Sequence, residues 1–294
     1  MPMTADDLVS LFDLESVGPD RYVGHSPRNG WKRVFGGQVI AQALIAAQRT
    51  VEGRAPHSLH VYFILGGDPR EPIVFEVERI RDGRSFATRR VLARQRGDAI
   101  FALSASFQVE EEGLKHQFPM PDAPDPETLA DPVQLAALAG EAAQQRVKGL
   151  FDHIRPIELR PLDLSRYQPT QPGQIRDPRQ SIWIRIAGRL PDDPAIHRAA
   201  LAYLSDMTLL DSVLVAHGYS ISSGKFQVAS LDHALGLHRP FRADEWLLYV
   251  QDSPSACGAR GLTRGSLYSR GGTLVASVAQ EGMLRARRPA PQAD

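Results

Sequence analysis

Asp206, Ser230 and Gln280 are an acid, an alcohol and an amide, each set in a segment that is otherwise largely apolar. A carboxylate can take a proton from water, and an amide or a hydroxyl can hold that water or steady the carboxylate. The acid lies in the stretch 199–214. On a helical period, Asp206 projects from the face that also bears Leu209, Leu210 and Val213. Burying a carboxylate there is costly, because desolvation disfavours its charged form. Ser230 and Asp232 fall on one pleat face of a strand-like run, and Gln280 shares a face with Leu274, Ala276 and Val278. Polar groups where the pattern asks for apolar ones mark a candidate site. Asp232 is a second candidate for its carboxylate. His233, on the face of Leu231 and Leu235, reads as a core histidine.

The elements that must position these groups come in two similar sets. A short amphipathic helix is expected at 4–15, capped by Thr4, with a short strand near 21–25. Phe35-Gly36-Gly37-Gln38 leads into a helix at 39–50, which Ala41, Ala43, Ala46 and Ala47 keep thin, as if a sheet wraps it closely. Strands follow at 58–65, 73–79, 86–94 and 99–109. Pro119, Pro121, Pro124 and Pro126 mark a linker, interrupted by a surface helix at 133–151. A helix at 199–216 then leads to strands near 228–237, 246–251, 260–269 and 273–284.

The letters themselves repeat. Ser58-Leu59-His60 matches Ser230-Leu231-Asp232, and Arg96-Gly97 begins a run that matches Arg270-Gly271. Two copies of one helix-plus-meander unit make an α+β chain. A thin helix wrapped by an antiparallel sheet is the plan of the hotdog fold. A double hotdog is therefore expected, its two sheets joined edge to edge. The units are 1–112 and 156–294, with 113–155 as linker. In the first copy Ser58 and Ser106 match Ser230 and Gln280, and no acid stands in the first helix. One site per chain is expected, in the second unit.

Bulk properties exclude several classes. The 34 basic and 34 acidic residues balance, so no global field recruits nucleic acid. The single cysteine, Cys257, permits no internal disulfide and reads as a small packed residue in a reducing compartment. No run approaches the roughly 20 apolar residues of a membrane span, and no secretion or peroxisomal signal is seen, so a cytoplasmic location is expected. Nucleophile-elbow, zinc-helix, phosphate-loop and dinucleotide motifs are absent, and the histidines lack metal-ligand spacing. No cofactor or metal is expected.

Six motifs carry a resemblance: Phe35-Gly36-Gly37-Gln38, Tyr203-Leu204-Ser205-Asp206, Ser230-Leu231-Asp232-His233, His238-Arg239-Pro240-Phe241, Glu245-Trp246-Leu247-Leu248-Tyr249 and Val278-Ala279-Gln280-Glu281-Gly282. In this order they resemble the acyl-CoA thioesterase II family of double-hotdog hydrolases, from about Leu8 to Leu284. The resemblance implies a catalytic Asp–Thr–Gln constellation falling on Asp206, Ser230 and Gln280, with Ser230 at the position of the Thr. Serine keeps the hydroxyl but loses the methyl that stiffens its rotamer. The resemblance also implies a medium- to long-chain acyl-CoA substrate and a homodimer or homotetramer.

The chemistry suits these residue types. Thioester hydrolysis needs a nucleophilic water, a polarised carbonyl and a thiolate leaving group, and no His or Lys pairs obviously with Ser230 for a covalent route. Gly36 and Gly37 would let substrate approach a helix start, where free N–H groups could polarise the carbonyl. Two other readings stand beside this one. A hotdog enoyl-CoA hydratase would use an Asp–His pair to add water to carbon, and a non-catalytic acyl-CoA-binding protein would have only the Ser230 departure in its support.

Overall fold

The computed structural model describes residues 3–27, 32–137, 156–163, 176–219 and 224–287. Thr4 opens α1 (Ala5–Phe12) with a reciprocal cap, its hydroxyl accepting from the Asp7 N–H while the Asp7 carboxylate accepts from the Thr4 N–H. Strands β1 (Glu15–Gly18) and β2 (Arg21–Gly24) precede α2 (Gly36–Gln48). Nearly every residue of α2 is buried, and its alanines let neighbouring elements come close. A meander follows: β3 (Ala55–Phe63), β4 (Ile73–Asp82), β5 (Phe86–Gln95) and β6 (Asp98–Gln108).

Past the proline-rich stretch come α3 (Pro132–Ala137), β7 (Ile157–Pro161) and β8 (Gln180–Ile186). Of the expected helix at 133–151, residues 133–137 are helical, in α3, and 138–151 lie outside the described residues. Asp193 caps α4 (Pro194–Ser205) by accepting from the Ala195 N–H at 2.8 Å, with Pro194 at the first helical position. Then come α5 (Asp211–Ala216), β9 (Phe226–Ser230), β10 (Asp232–Leu237), β11 (Leu247–Cys257), β12 (Arg260–Ser269) and β13 (Leu274–Ala286).

All described strands join one antiparallel sheet, ordered β1-β2-β4-β5-β6-β3-β10-β13-β12-β11-β8-β7, with β9 also on β13. The two halves meet at β3 and β10, where Leu59 pairs with Leu235 and His60 with Ala234. Inward residues from both halves, among them Val61, Leu103, Phe107, Leu235 and Val278, close over α2 and α4, which pack on each other. Burial of these side chains contributes about 1.5–3 kcal/mol each. Alanines 199, 200 and 202 make α4 as slim as α2, so both fit under one sheet.

Four expectations need correction. The helix at 199–216 is two helices, because the chain turns at Asp206–Leu210 with Thr208 at φ +63°, a left-handed conformation uncommon for a β-branched residue. The strand at 228–237 is broken at Leu231. Ser230 pairs with Gly282 and Ala234 with Ala279, so Leu231, Asp232 and His233 stand opposite only Glu281 and Gln280. This is a β-bulge, which re-aims side chains. The turn Arg270-Gly271-Gly272 before β13 is one residue longer than Arg96-Gly97 before β6, which shifts the repeat by one residue. Beyond it, Thr263 faces Gln280 as Arg89 faces Ala105, so Ala105, not Ser106, stands at the place of Gln280. Ser106 instead bonds His57 at 2.8 Å. Lastly, Cys257 is exposed, because β11 runs on into the hairpin with β12.

Candidate functional site

Asp206 stands at the C-terminal end of α4, not in mid-helix. Its turn is held from below by two buried glutamines. Gln180 donates to the Thr208 carbonyl at 2.9 Å, to Ser212 at 2.8 Å and to the Gln251 side chain, and Gln251 donates to the Thr208 hydroxyl at 2.9 Å. Backbone strain of this kind persists only where the surroundings over-determine it.

The carboxylate accepts two hydrogen bonds from opposite halves of the chain. Asp206 Oδ2 accepts from the Gly37 N–H at 2.9 Å, and Oδ1 accepts from Gln280 Nε2 at 2.9 Å. Gln280 Nε2 also donates to Ser230 Oγ at 2.7 Å. The acid, alcohol and amide therefore meet, although they are far apart in sequence. Gly36 makes the approach possible: a Cβ there would sit 2.6 Å from Asp206 Oδ2 and 3.0 Å from the Phe63 ring. The start of α2, a positive helix end, thus faces the carboxylate. Sequence reading assigned Gly36 and Gly37 to substrate alone, and missed that this helix start grips the acid of the other repeat.

Burial pushes Asp206 up to about 6, against the opposing pull of bonds from Gln280, Gly37 and Ser230. Part of Asp206 still reaches solvent, which leaves water a way in. Between about 3.8 and about 6 the folded chain keeps a proton here that the unfolded chain has released. The stability this supplies is complete below about 3.8 and gone above about 6.

Asp232 is not in the trio. Its Oδ1 accepts from the Glu281 N–H at 2.7 Å and its Oδ2 meets His60 Nε2 at 3.3 Å, so it closes the bulge. His233 is a core histidine, as its periodicity suggested, but it touches the trio. Its Nδ1 lies 3.3 Å from Gln280 Oε1 and its Nε2 lies 2.9 Å from Ser205 Oγ. A buried imidazole must find partners, and that signal pointed to a polar neighbour without identifying it. His238 bonds Ser277, and Arg239 bonds the carbonyls of Leu274 and His116. Both hold strand ends. Among the described residues no group of three or more His, Cys, Asp or Glu is placed to hold a metal ion, and no helix is long and apolar enough to cross a membrane.

Such an arrangement can take a proton from a water beside Asp206. The Ser230 hydroxyl accepts from Gln280, which leaves its own hydrogen for the carboxylate or a water. Ser230→Thr keeps that hydroxyl and is expected to retain thioester turnover within about threefold. Ser230→Ala is expected to lower kcat about 10- to 100-fold, the worth of one hydrogen bond to a charged group. Equal kcat in the alanine variant and the wild type would remove the hydroxyl from the account.

Comparison with known proteins agrees along the chain. A family model described as acyl-CoA thioesterase matches residues 151–283, and one described as the acyl-CoA thioesterase N-terminal domain matches residues 25–108. Acyl-coenzyme A thioesterase 8 of Mus musculus is 39% identical over 292 residues, covering 95% of this chain and 88% of the relative. The crystal structure of an acyl-CoA thioesterase II from Mycobacterium marinum is 42% identical, with a TM-score of 0.77, covering 95% of this chain and 98% of that one. A hot dog fold protein from Alicyclobacillus acidocaldarius, 20% identical, superposes with a TM-score of 0.76, covering 96% and 98%, which bears on the fold alone.

Proposed function

The chain belongs to the acyl-CoA thioesterase family and has a double hotdog fold, and from that premise we propose that Asp206 takes the proton of a water held by Gln280 and Ser230. The activity itself, hydrolysis of acyl-CoA thioesters, follows from the family. In the proposed reaction the water oxygen bonds to the thioester carbonyl carbon as its proton passes to Asp206. The tetrahedral intermediate then expels the coenzyme A thiolate, which recovers that proton. The Gly37 N–H is engaged by Asp206, so polarisation of the carbonyl falls to the Gly36 N–H at the same helix start.

One observation carries this reading: a single amide nitrogen bridges the carboxylate and the hydroxyl. An acyl-serine route finds less support. Ser230 is bonded to the Gln280 amide, a donor that removes no proton, and to Asp206, the carboxylate that the water route already uses as its base. Medium- to long-chain use is supported by Phe63 beside Gly36 and by exposed Ile64 and Leu65 just beyond it. The units 1–112 and 156–294 remain our division of the chain. Among the described residues β1 and β7 are the outermost strands, and such sheet edges support a homodimer or homotetramer, which light scattering would read. A reducing, cytoplasmic setting accords with the lone cysteine.

The test is a thiol-trapping assay with acyl-CoAs from four to eighteen carbons, run from pH 4.5 to 8.5. Free coenzyme A and free fatty acid are expected, with faster turnover on the longer chains. Because the base must be ionised, kcat is expected to fall about tenfold per unit as pH drops below about 6, and to be flat above about 7. A 3-hydroxyacyl product, or a rate that rises as pH falls through 6, would contradict the proposal.

A further inference from the structure

Gln280 can serve Asp206 and Ser230 only with its NH2 turned toward them, and a free amide can turn either way. Its orientation is decided at the other end. Gln280 Oε1 lies 3.3 Å from His233 Nδ1, and His233 Nε2 lies 2.9 Å from Ser205 Oγ, in a pocket where His233 has no exposed surface. An amide oxygen only accepts, so the Nδ1 facing it must carry the hydrogen. The neutral ring then leaves Nε2 to accept, so the one hydrogen of the Ser205 hydroxyl, which has both this nitrogen and the Ala202 carbonyl at 2.9 Å, is directed to Nε2; Ser205 stands one residue before Asp206.

We propose that His233 is a positioning residue, whose Nδ1–H holds the carboxamide of Gln280 in the orientation that presents its NH2 to Asp206 and Ser230. This rests on the proposed function above and extends it by one layer. The duplicated unit supports it independently. At the place of Gln280 the first repeat has Ala105, whose cross-strand partner is Leu59, the counterpart of His233. The copy without the amide also lacks the imidazole. Leucine at that place also shows that the fold does not itself require a histidine there.

The chemistry explains why Asp206 cannot fix the amide alone. Once Asp206 has taken a proton it becomes a donor, and a turned Gln280 could accept from it. That would stabilise the neutral acid and delay its return to carboxylate. His233 keeps Oε1 occupied throughout. Burial holds its pKa down to about 4, so the ring stays neutral across the working range. The groups facing the pair are Ser205 from α4, Tyr249 from β11, whose hydroxyl donates to the Ser205 carbonyl at 2.7 Å, and, farther out, Asp232 with His60.

Three variants and one spectrum test this. His233→Leu, sized for the place that Leu59 fills, is expected to lower kcat about 10- to 100-fold with KM within about threefold, and to move the acid limb of kcat upward. His233→Asn, whose amide can donate from near the Nδ1 position, is expected to recover at least half of that loss on a logarithmic scale. In Gln280→Leu, adding His233→Leu should cost less than threefold more, because the histidine acts through the amide. Imidazole nitrogen NMR of the unmodified protein should find His233 as the neutral Nδ1–H tautomer from pH 5.5 to 8. An Nε2–H tautomer would overturn the proposal, as would equal losses in the leucine and asparagine variants with an unmoved acid limb. Should the leucine variant fail to fold, the spectrum and the asparagine variant still decide.

Discussion

Asp206→Asn lowers kcat for acyl-CoA hydrolysis by about 10²–10⁴-fold, the range a positioned general base contributes, and leaves KM within about threefold. The substitution keeps shape and volume but cannot accept a proton from water. Its effect on stability is mixed, for a stated reason. The buried charge disappears, yet Gly37 N–H and Gln280 NH2 both point donors at this side chain, and an amide has only one acceptor to offer them. One donor–donor contact remains, worth about 1–3 kcal/mol, against relief from a desolvated carboxylate. Thermal unfolding on both sides of pH 6 separates these contributions, since only the wild type titrates there. Turnover equal to wild type at pH 7.5 would remove Asp206 as the base.

Gly37→Ala costs both stability and turnover, against ordinary helix preference. Alanine at an exposed mid-helix site is favoured over glycine by about 1 kcal/mol. Here a Cβ would sit 2.4 Å from the Tyr203 carbonyl oxygen and 2.6 Å from the Phe35 ring. The Phe35 ring meets Tyr203 edge-on at 5.0 Å, so it has little room to withdraw. Backbone oxygen cannot swing away as a flexible side chain does, so α2 and α4 must part. Such overpacking costs about 1–3 kcal/mol. The same movement draws the Gly37 N–H from Asp206, and a misplacement near 1 Å can cost about 10²-fold in rate. The expected result is a lower melting temperature together with a kcat loss of about 10- to 100-fold. Unchanged melting and turnover would show that the two helices have slack the packing does not reveal.

What could be read from the chain beforehand follows physical range. Periods of 2 and 3.6 exposed the strands and the thin helices, and the doubled letters exposed the duplication, because each signal is local or compares like with like. The three polar groups stood out because apolar surroundings make a carboxylate, an amide and a hydroxyl conspicuous. Single-residue insertions escaped. One extra residue at Leu231 sends Asp232 to Glu281 and His60, and one extra residue in the turn before β13 exchanges Ser106 for Ala105 as the counterpart of Gln280. Neither leaves a mark in an alternating pattern. The break after Ser205 was hidden too, because Leu209, Leu210 and Val213 continue a helical period across a turn that buried Gln180 and Gln251 impose. Contact between Gly37 and Asp206 joins residues 169 positions apart, and no local rule reaches that far.

The central claim is that one water, gripped by Asp206, Gln280 and Ser230, attacks the thioester. A crystal structure with a non-hydrolysable acyl-CoA ketone, its sulfur replaced by methylene, tests it most directly. The account predicts a water about 2.6–3.2 Å from an Asp206 carboxylate oxygen and in contact with Gln280 or Ser230, lying between them and the ketone carbon, with the ketone oxygen at the Gly36 N–H. A ketone carbon bonded to Ser230 Oγ or to Asp206 itself, or an acyl chain seated away from these three residues, would contradict it.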